Sequence, residues 1–210
     1  HPDLSQESQI IMTLKVLCSF HNKEIAAALL KKESAIEKAA GRGKHKMRDL
    51  IDPNEVDFNV DIDERLSGVL SVIYLMFSEG YKASTGSSLI KQSLILEAIR
   101  LTKLLCGHPK TNLPEVNALL ALLLFNSARL NTRVSESGEL LILQQQNRIE
   151  WNQELIQEGQ TFLNKASEGS ILSEYHILAG ISACHSFAPS FEDKDWNLIL
   201  EFYDILLLQK

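Results

Sequence analysis

The sequence predicts an all-α protein in which a small helix-turn-helix head precedes a larger helical body. Three observations predict this fold class. Apolar residues recur at spacings of three and four along almost the whole chain. No segment shows a convincing strand-like alternation, and clusters of glycine, proline and small polar residues separate the helical patterns. A fold built from packed helices accounts for all three.

The head is predicted to contain three helices within residues 1–50. They cover 5–19, 23–30 and 34–49. Between the second and third helices, Lys31-Lys32-Glu33 supplies a polar turn, as a helix-turn-helix requires. Ser34 with Glu37 fits a capping box, which predicts that the third helix begins at Ser34.

The body is predicted over 63–210, after an acidic linker at 51–62 that contains Pro53. Its helices are expected at 63–79, 88–106, 114–129, 147–166, 171–188 and 193–208. Pro114 suits the first turn of a helix, and Gly80 is expected to end one in a left-handed conformation. Three consecutive helix pairs predict an irregular tetratricopeptide-like array.

The net charge of the chain also differs between the head and the rest of the chain. The first 50 residues carry nine lysines and arginines against six acids, whereas the whole chain has a net charge of −6, which leaves the remainder at −9. A basic head on an acidic body is expected when only the head meets phosphate groups. Cys18, Cys106 and Cys184 are far apart and predict small buried hydrophobic residues in a cytoplasmic protein rather than disulfides or a metal site.

The third helix of the head predicts DNA binding, because its basic side chains can pair with phosphates and residues near its start can reach base edges. The candidate DNA-binding residues are Ser34, Glu37, Lys38, Arg42, Lys44, His45, Lys46 and Arg48. A solvated lysine-rich helix is the alternative. Gly41 and Gly43 each disfavour helix by about 1 kcal/mol relative to alanine. They suggest that the helix frays after Ala40 or is completed only on DNA.

A polar and aromatic set in the body predicts a groove for a peptide or a small molecule. Its candidate residues are Arg129, Arg133, Gln146, Arg148 and Trp151. The alternative is that Arg129 and Arg148 form internal salt bridges with acids of the body. No catalytic grouping, phosphate loop or metal-ligand spacing stands out, so we expect neither an enzyme nor a cofactor. No apolar run is long enough for a membrane span.

The head and body together resemble a known family. The segment HPDLSQESQIIMTLKVLCSFHNKEIAAALLKKESAIEKAAGRGKHKMR resembles region 4 of bacterial extracytoplasmic-function sigma factors, members of the sigma-70 family. RLSGVLSVIYLMFSEGY, PEVNALLALLLFNSARLNTR and DWNLILEFYDIL are similar to motifs of the tetratricopeptide-like extension found in one subgroup. Gly41, Gly43 and Asn147 depart from the patterns of that subgroup.

The resemblance implies a transcription initiation factor. Region 4 of such factors recognises the promoter −35 element and contacts the β flap of core RNA polymerase, and the extension is expected to regulate this in cis. The chain begins with His1 rather than Met, so we expect a region 2 upstream of it. The alternative, a peptide- or ligand-sensing helical scaffold with a degenerate head that does not bind DNA, stays open.

Overall fold

The computed structural model describes residues 3–50, 62–84 and 89–208, and within these residues the protein is all-α, as predicted. The helices are α1 (Gln6–Val16), α2 (Asn22–Ala28), α3 (Glu33–Leu50), α4 (Ile62–Tyr81), α5 (Gln92–Gly107), α6 (Pro114–Ser127), α7 (Gln153–Ala166), α8 (Glu174–Phe187) and α9 (Trp196–Leu208). No helix in the described ranges is both long and apolar enough to cross a membrane.

The chain divides into two compact units, residues 1–98 and residues 99–210. The predicted linker at 51–62 lies outside the described residues, apart from Ile62, which begins α4. Helix α4 packs against α1 and α2. The first unit therefore contains, besides the three helices of the head, the helix that was expected to open the body.

In the first unit, α1, α2 and α3 pack around a shared apolar core. Ile11, Leu14, Ile25 and Ile36 are fully buried there. The turn between α2 and α3 passes through Leu30, which has a φ of 53° and a side chain that is 95% exposed. Such left-handed backbone is disfavoured for a residue with a Cβ, and the exposed side chain of Leu30 gains little packing in return.

Helix α3 begins one residue earlier than predicted and does not fray. The carbonyl of Lys32 accepts from the amides of Ala35 at 2.9 Å and Ile36 at 3.2 Å, which closes the first turn ahead of Ser34. The predicted capping box of Ser34 and Glu37 is therefore wrong, since Ser34 already lies inside the helix. The helix continues through both glycines to Leu50.

Gly43 lies on the buried stripe of α3 with Ile36 and Ala40. A Cβ at this position would come within 3.0 Å of the Met12 side chain on α1, whereas a Cβ at Gly41 would meet nothing within 4 Å. The glycine at 43 thus allows α1 and α3 to approach closely, a packing role that the sequence alone did not indicate.

The prediction for Gly80 is also wrong, because this residue is helical and lies inside α4. Gly138 is the glycine with a positive φ among the described residues. A Cβ on Gly80 would lie 2.9 Å from Cγ1 of Ile95 and 3.0 Å from the backbone nitrogen of Ile95. The residue is therefore needed for the close approach of the start of α5.

In the second unit, α6 is buried on nearly every side and forms the centre of the core. Pro114 occupies its first turn, as predicted. Helix α6 packs against α7 and α8, and α8 packs against α7 and α9. Helix α6 thus contacts α7, its partner in the pair predicted over 114–166, and also α8, the first helix of the pair predicted over 171–208. These contacts agree with the predicted stacking of the two pairs.

A long connection joins α6 to α7. It contains 3₁₀ turns at Leu130–Thr132, Leu143–Gln145 and Arg148–Glu150, and an isolated bridge between Val134 and Leu140. The predicted start of a helix at residue 147 is wrong. The side chain of Asn152 caps α7 by accepting from the amide of Leu155 at 3.0 Å, so the helix begins at Gln153.

Candidate functional site

The exposed surface of α3 holds all the candidate DNA-binding residues. Each side chain of the set is exposed: Ser34, Glu37, Lys38, Arg42, Lys44, His45, Lys46 and Arg48. Helical geometry advances about 100° per residue. On that basis Lys38, Arg42 and His45 project opposite the buried stripe, while Lys44 and Lys46 flank it. We call these eight residues the α3 face.

The α3 face carries five cations, not counting His45, and one acid, Glu37. Lys46 is tethered, since its ammonium group donates to the carbonyl of Asp3. Glu37 and Lys38 lie in the first turns of the helix, where a helix placed in the major groove would contact base edges. The surface can therefore offer positive charge to a duplex while its apolar side stays packed.

A buried ion network holds the same unit together. The ammonium group of Lys91 lies 2.7 Å from carboxylate oxygens of both Glu24, on α2, and Glu79, on α4. The Glu24 carboxylate also accepts from the amide of His21 at 2.7 Å, and that of Glu79 accepts from the amide of Ser84 at 3.0 Å. We call Glu24, Glu79 and Lys91 the Lys91 network.

Both carboxylates of the Lys91 network are buried, with Glu24 6% and Glu79 5% exposed. Burial on its own would lower the pKa of Lys91, but hydrogen bonds to Glu24 and Glu79 outweigh it and raise that pKa above its usual value. This network could not be predicted from the sequence, because its members are up to 67 residues apart and no local pattern joins them.

The residues of the predicted body groove lie in the second unit, on the connection between α6 and α7 or at its start. Gln146 and Trp151 are buried, whereas Arg129, Arg133 and Arg148 are partly buried. Arg148 stacks over the Trp151 ring at 4.2 Å, and the Trp151 indole N–H donates to the Thr132 hydroxyl at 3.1 Å. The structure thus places the side chains of Arg148 and Trp151 in direct contact, and the hydrogen bond to Thr132 holds the indole in position.

The alternative interpretation of internal salt bridges is wrong for Arg148. One of its terminal nitrogens, Nη2, donates to the carbonyl of His185 at 2.9 Å and also to the carbonyl of Ala188. These carbonyls belong to the C-terminal end of α8, where a cation is favoured. Arg129 donates to the side-chain oxygen of Asn126.

Two residues that the sequence did not single out as a site, His185 and Lys194, complete this region. The Lys194 ammonium lies 3.7 Å from the centre of the Phe191 ring and 5.4 Å from that of Trp196. The rings of His185 and Trp196 are 6.3 Å apart. We call Gln146, Arg148, Trp151, His185 and Lys194 the Arg148 cluster.

Burial affects the thiol groups of all three cysteines. Burial is the main cause that raises the pKa of Cys106 to about 11, and it also raises the pKa of Cys18 and Cys184. The three cysteines, which were expected to be buried, are each partly buried. Across the described ranges, no group of three or more histidine, cysteine, aspartate or glutamate residues could hold a metal ion.

Comparison with known proteins finds one similarity over α4 to α7 and another over nearly the whole chain. Residues 65–167 match a family of unknown function, DUF6596. The chain is also 34% identical over 206 residues to an uncharacterized protein of Rhizobium meliloti (strain 1021). That alignment covers 98% of this chain and 48% of the relative, so the chain spans about half the length of the relative. No solved structure matches the chain.

Proposed function

We propose that the chain is the promoter-recognition and regulatory part of a bacterial sigma factor, with the α3 face as its DNA-binding surface. The observation that carries the proposal is the arrangement of α3. Its apolar stripe of Ile36, Ala40 and Gly43 packs inward, and all eight candidate residues remain exposed. A helix that uses one side for the core leaves the other free for a groove.

The charge of the α3 face supports a duplex as its partner. Lys38 projects away from the core and Arg42 lies on the same exposed side of α3, and Lys44, Lys46 and Arg48 extend the positive surface toward the end of the helix. Cations spaced along one helix can contact phosphates on both sides of a groove. Ser34, Glu37 and Lys38, at its start, would contact the −35 element.

The remaining parts of the proposal come from the family resemblance. The head would contact the β flap of core RNA polymerase, and the helical body would regulate promoter recognition in cis. The protein would act in the cytoplasm, without a cofactor and without enzymatic activity. Co-elution of the chain with purified bacterial core polymerase tests the polymerase contact, and separate elution at micromolar concentrations of both would contradict it.

Salt dependence of DNA binding tests the central part of the proposal. We would titrate the full chain into a fluorescent 25-base-pair duplex at several salt concentrations and follow its anisotropy. About four phosphate contacts give a log–log slope near −3.6. Replacing Lys38 and Arg42 together by glutamate should reduce that slope by about 1.8, since two contacts are lost.

A matched variant separates the α3 face from the overall charge. Replacing Lys110 and Lys165 by glutamate changes the net charge by the same amount, and both lysines are exposed in the second unit. This control should keep the slope of the native chain. Equal losses in the two variants would mean that the affinity is not located on α3, and a flat response of the native chain would refute DNA binding.

A ligand-sensing scaffold is the second candidate, and the Arg148 cluster is the observation that favours it. The glycines of α3 no longer favour it, because Gly43 is accounted for by its contact with Met12 and the helix is continuous. A chain that gives no salt-dependent DNA binding, but does bind a ligand at the second unit, would support the scaffold over the sigma factor.

A further inference from the structure

The Arg148 cluster buries polar atoms that have no hydrogen-bond partner. Lys194 is 4% and Gln146 is 5% exposed. Among the residues that the structure describes, nothing accepts from Nζ of Lys194 or from Nη1 of Arg148, and neither Nδ1 of His185 nor Oε1 of Gln146 has a partner. Buried polar groups are nearly always satisfied, so these atoms call for an explanation.

The side chains of the cluster are held in place by contacts that leave these atoms unused. Arg148 is fixed through Nη2 on the end of α8 and through its stacking on Trp151, so that Nη1 is left over. Lys194 is fixed by the rings of Phe191 and Trp196, which attract its charge but supply no acceptor for its N–H groups. The cations are therefore positioned, and their donors are unsatisfied.

The electrostatics of the cluster are strongly positive. Burial, followed by the charges of Arg148 and Arg129, lowers the pKa of Lys194 to about 8, although the exposed acid Glu192 acts in the opposite direction. Burial, with the charges of Lys194, Arg129 and Arg148, lowers the pKa of His185 to about 4. Cations that destabilise one another in this way would be stabilised by a bound negative charge.

We propose that the Arg148 cluster is the binding site for the oxyanion group, phosphate or carboxylate, of a small molecule. The oxygens of such a group would accept from Nζ of Lys194 and Nη1 of Arg148, the two orphaned cationic donors. Charge-assisted bonds of this kind are among the strongest hydrogen bonds in proteins. This inference is independent of DNA binding by the first unit, and either can fail without the other.

Tryptophan fluorescence provides a direct readout. The chain contains two tryptophans, Trp151 under the Arg148 guanidinium and Trp196 beside the Lys194 ammonium. We would titrate the full chain at pH 7 with inorganic phosphate and, separately, with acetate, and hold ionic strength constant with sodium chloride. We expect a saturable change in emission with at least one of the two anions, and the stronger of the two identifies the preferred oxyanion.

Two lysine variants test the location of the site. Lys194→Met keeps the length and apolar stem of the side chain but removes the charge, and should weaken binding at least tenfold. Lys165→Met is the matched control, because Lys165 also lies over an aromatic ring, Phe162, at 4.8 Å but is exposed. Its affinity should equal that of the native chain. Equal affinity of Lys194→Met and the native chain would overturn the proposal.

The pH profile of the native chain tests the same point without a substitution. Since Lys194 loses its proton near pH 8, affinity should fall about tenfold for each pH unit above that value. The neighbouring charges that act on Lys194 are those of Arg148, Arg129 and Glu192. A constant affinity across this range, or no saturable response to either anion at pH 7, would refute the site.

Discussion

The two units of the protein bury charge in opposite ways. In the Lys91 network one cation meets two carboxylates, and each carboxylate also accepts a backbone amide. In the Arg148 cluster, cations are buried together, and two of their donors have no acceptor in the described part of the chain. The first site is complete within the protein, whereas no described acid is hydrogen-bonded to those two donors of the second.

This difference separates a structural role from a binding role. A buried charge whose partners are all supplied by the fold is costly to disturb, because removing one partner leaves the others uncompensated. A buried charge without partners destabilises the fold and gains most from a ligand. The direction in which stability changes when each lysine is removed therefore distinguishes the two cases.

The largest effect is expected for Lys91→Met, which removes the cation that the buried carboxylates of Glu24 and Glu79 share. We expect the free energy of unfolding to fall by about 3–5 kcal/mol, measured by urea denaturation. Lys82→Met, at an exposed lysine just after α4, should have little effect. If Lys91→Met lost no more unfolding free energy than Lys82→Met, the structural role of the Lys91 network would be refuted.

Gly80→Ala should weaken the same network indirectly. The new Cβ would meet the backbone of Ile95, and the amide of Lys91 donates to the carbonyl of Gly80 at 2.8 Å, so that α5 and Lys91 must shift. We expect a loss of about 1–3 kcal/mol in urea denaturation. Gly107→Ala is the control, since a Cβ there meets nothing within 4 Å, and it should be neutral or stabilising.

Lys194→Met should change stability in the opposite direction to Lys91→Met. Replacing a buried, unsatisfied cation by an apolar side chain of similar length should raise the free energy of unfolding by about 1–2 kcal/mol in chloride buffer free of phosphate and carboxylate. The exposed Lys165→Met should be close to neutral. A loss as large as that of Lys91→Met would show that the fold itself satisfies Lys194.

His185 should give a smaller, pH-dependent effect. Its pKa is lowered by burial and neighbouring cations to about 4 from an ordinary 6.5, so the unfolded chain binds the proton more tightly. Stability should therefore decrease as pH falls from 6.5 to 4, by about 1 kcal/mol from this group after allowance for its partial exposure.

Comparison of thermal midpoints at pH 7 and pH 4.5 for the native chain and His185→Asn isolates that contribution. The variant should lose less stability on acidification than the native chain. His108→Asn, at an exposed histidine, should behave as the native chain does. If His185→Asn and the native chain lose equal stability, the ring of His185 does not carry the expected penalty.

Local patterns predicted those features of the fold that depend on neighbours along the chain. Apolar spacing located each helix, and the polar side of α3 could be read from the same periodicity. The errors came from tertiary packing. Gly80 was mistaken for a helix end because its contact with Ile95 depends on a different helix, and the start of α7 was placed too early because Trp151 is buried in an extended segment.

Both buried charge sites were beyond the reach of sequence reasoning for a similar reason. Glu24 and Lys91 are 67 residues apart, and nothing in their local surroundings distinguishes them from solvated charges. Lys194 lies between acids in the segment FEDKDW, which reads as an exposed turn. The rings of Phe191 and Trp196 pack around Lys194 and make it one of the least exposed lysines among the described residues.

The Lys91 network also limits how this protein can be recombined. A chimera that joined residues 1–50 to an unrelated carrier would transfer Glu24 without Lys91 and without α4, the helix that packs against α2. A graft that extends through Lys91 to the end of α5 would keep the acid, its cation and the supporting helix α4 together. Domain-swap engineering of the head should therefore cut the chain after α4 and Lys91, well beyond the end of α3.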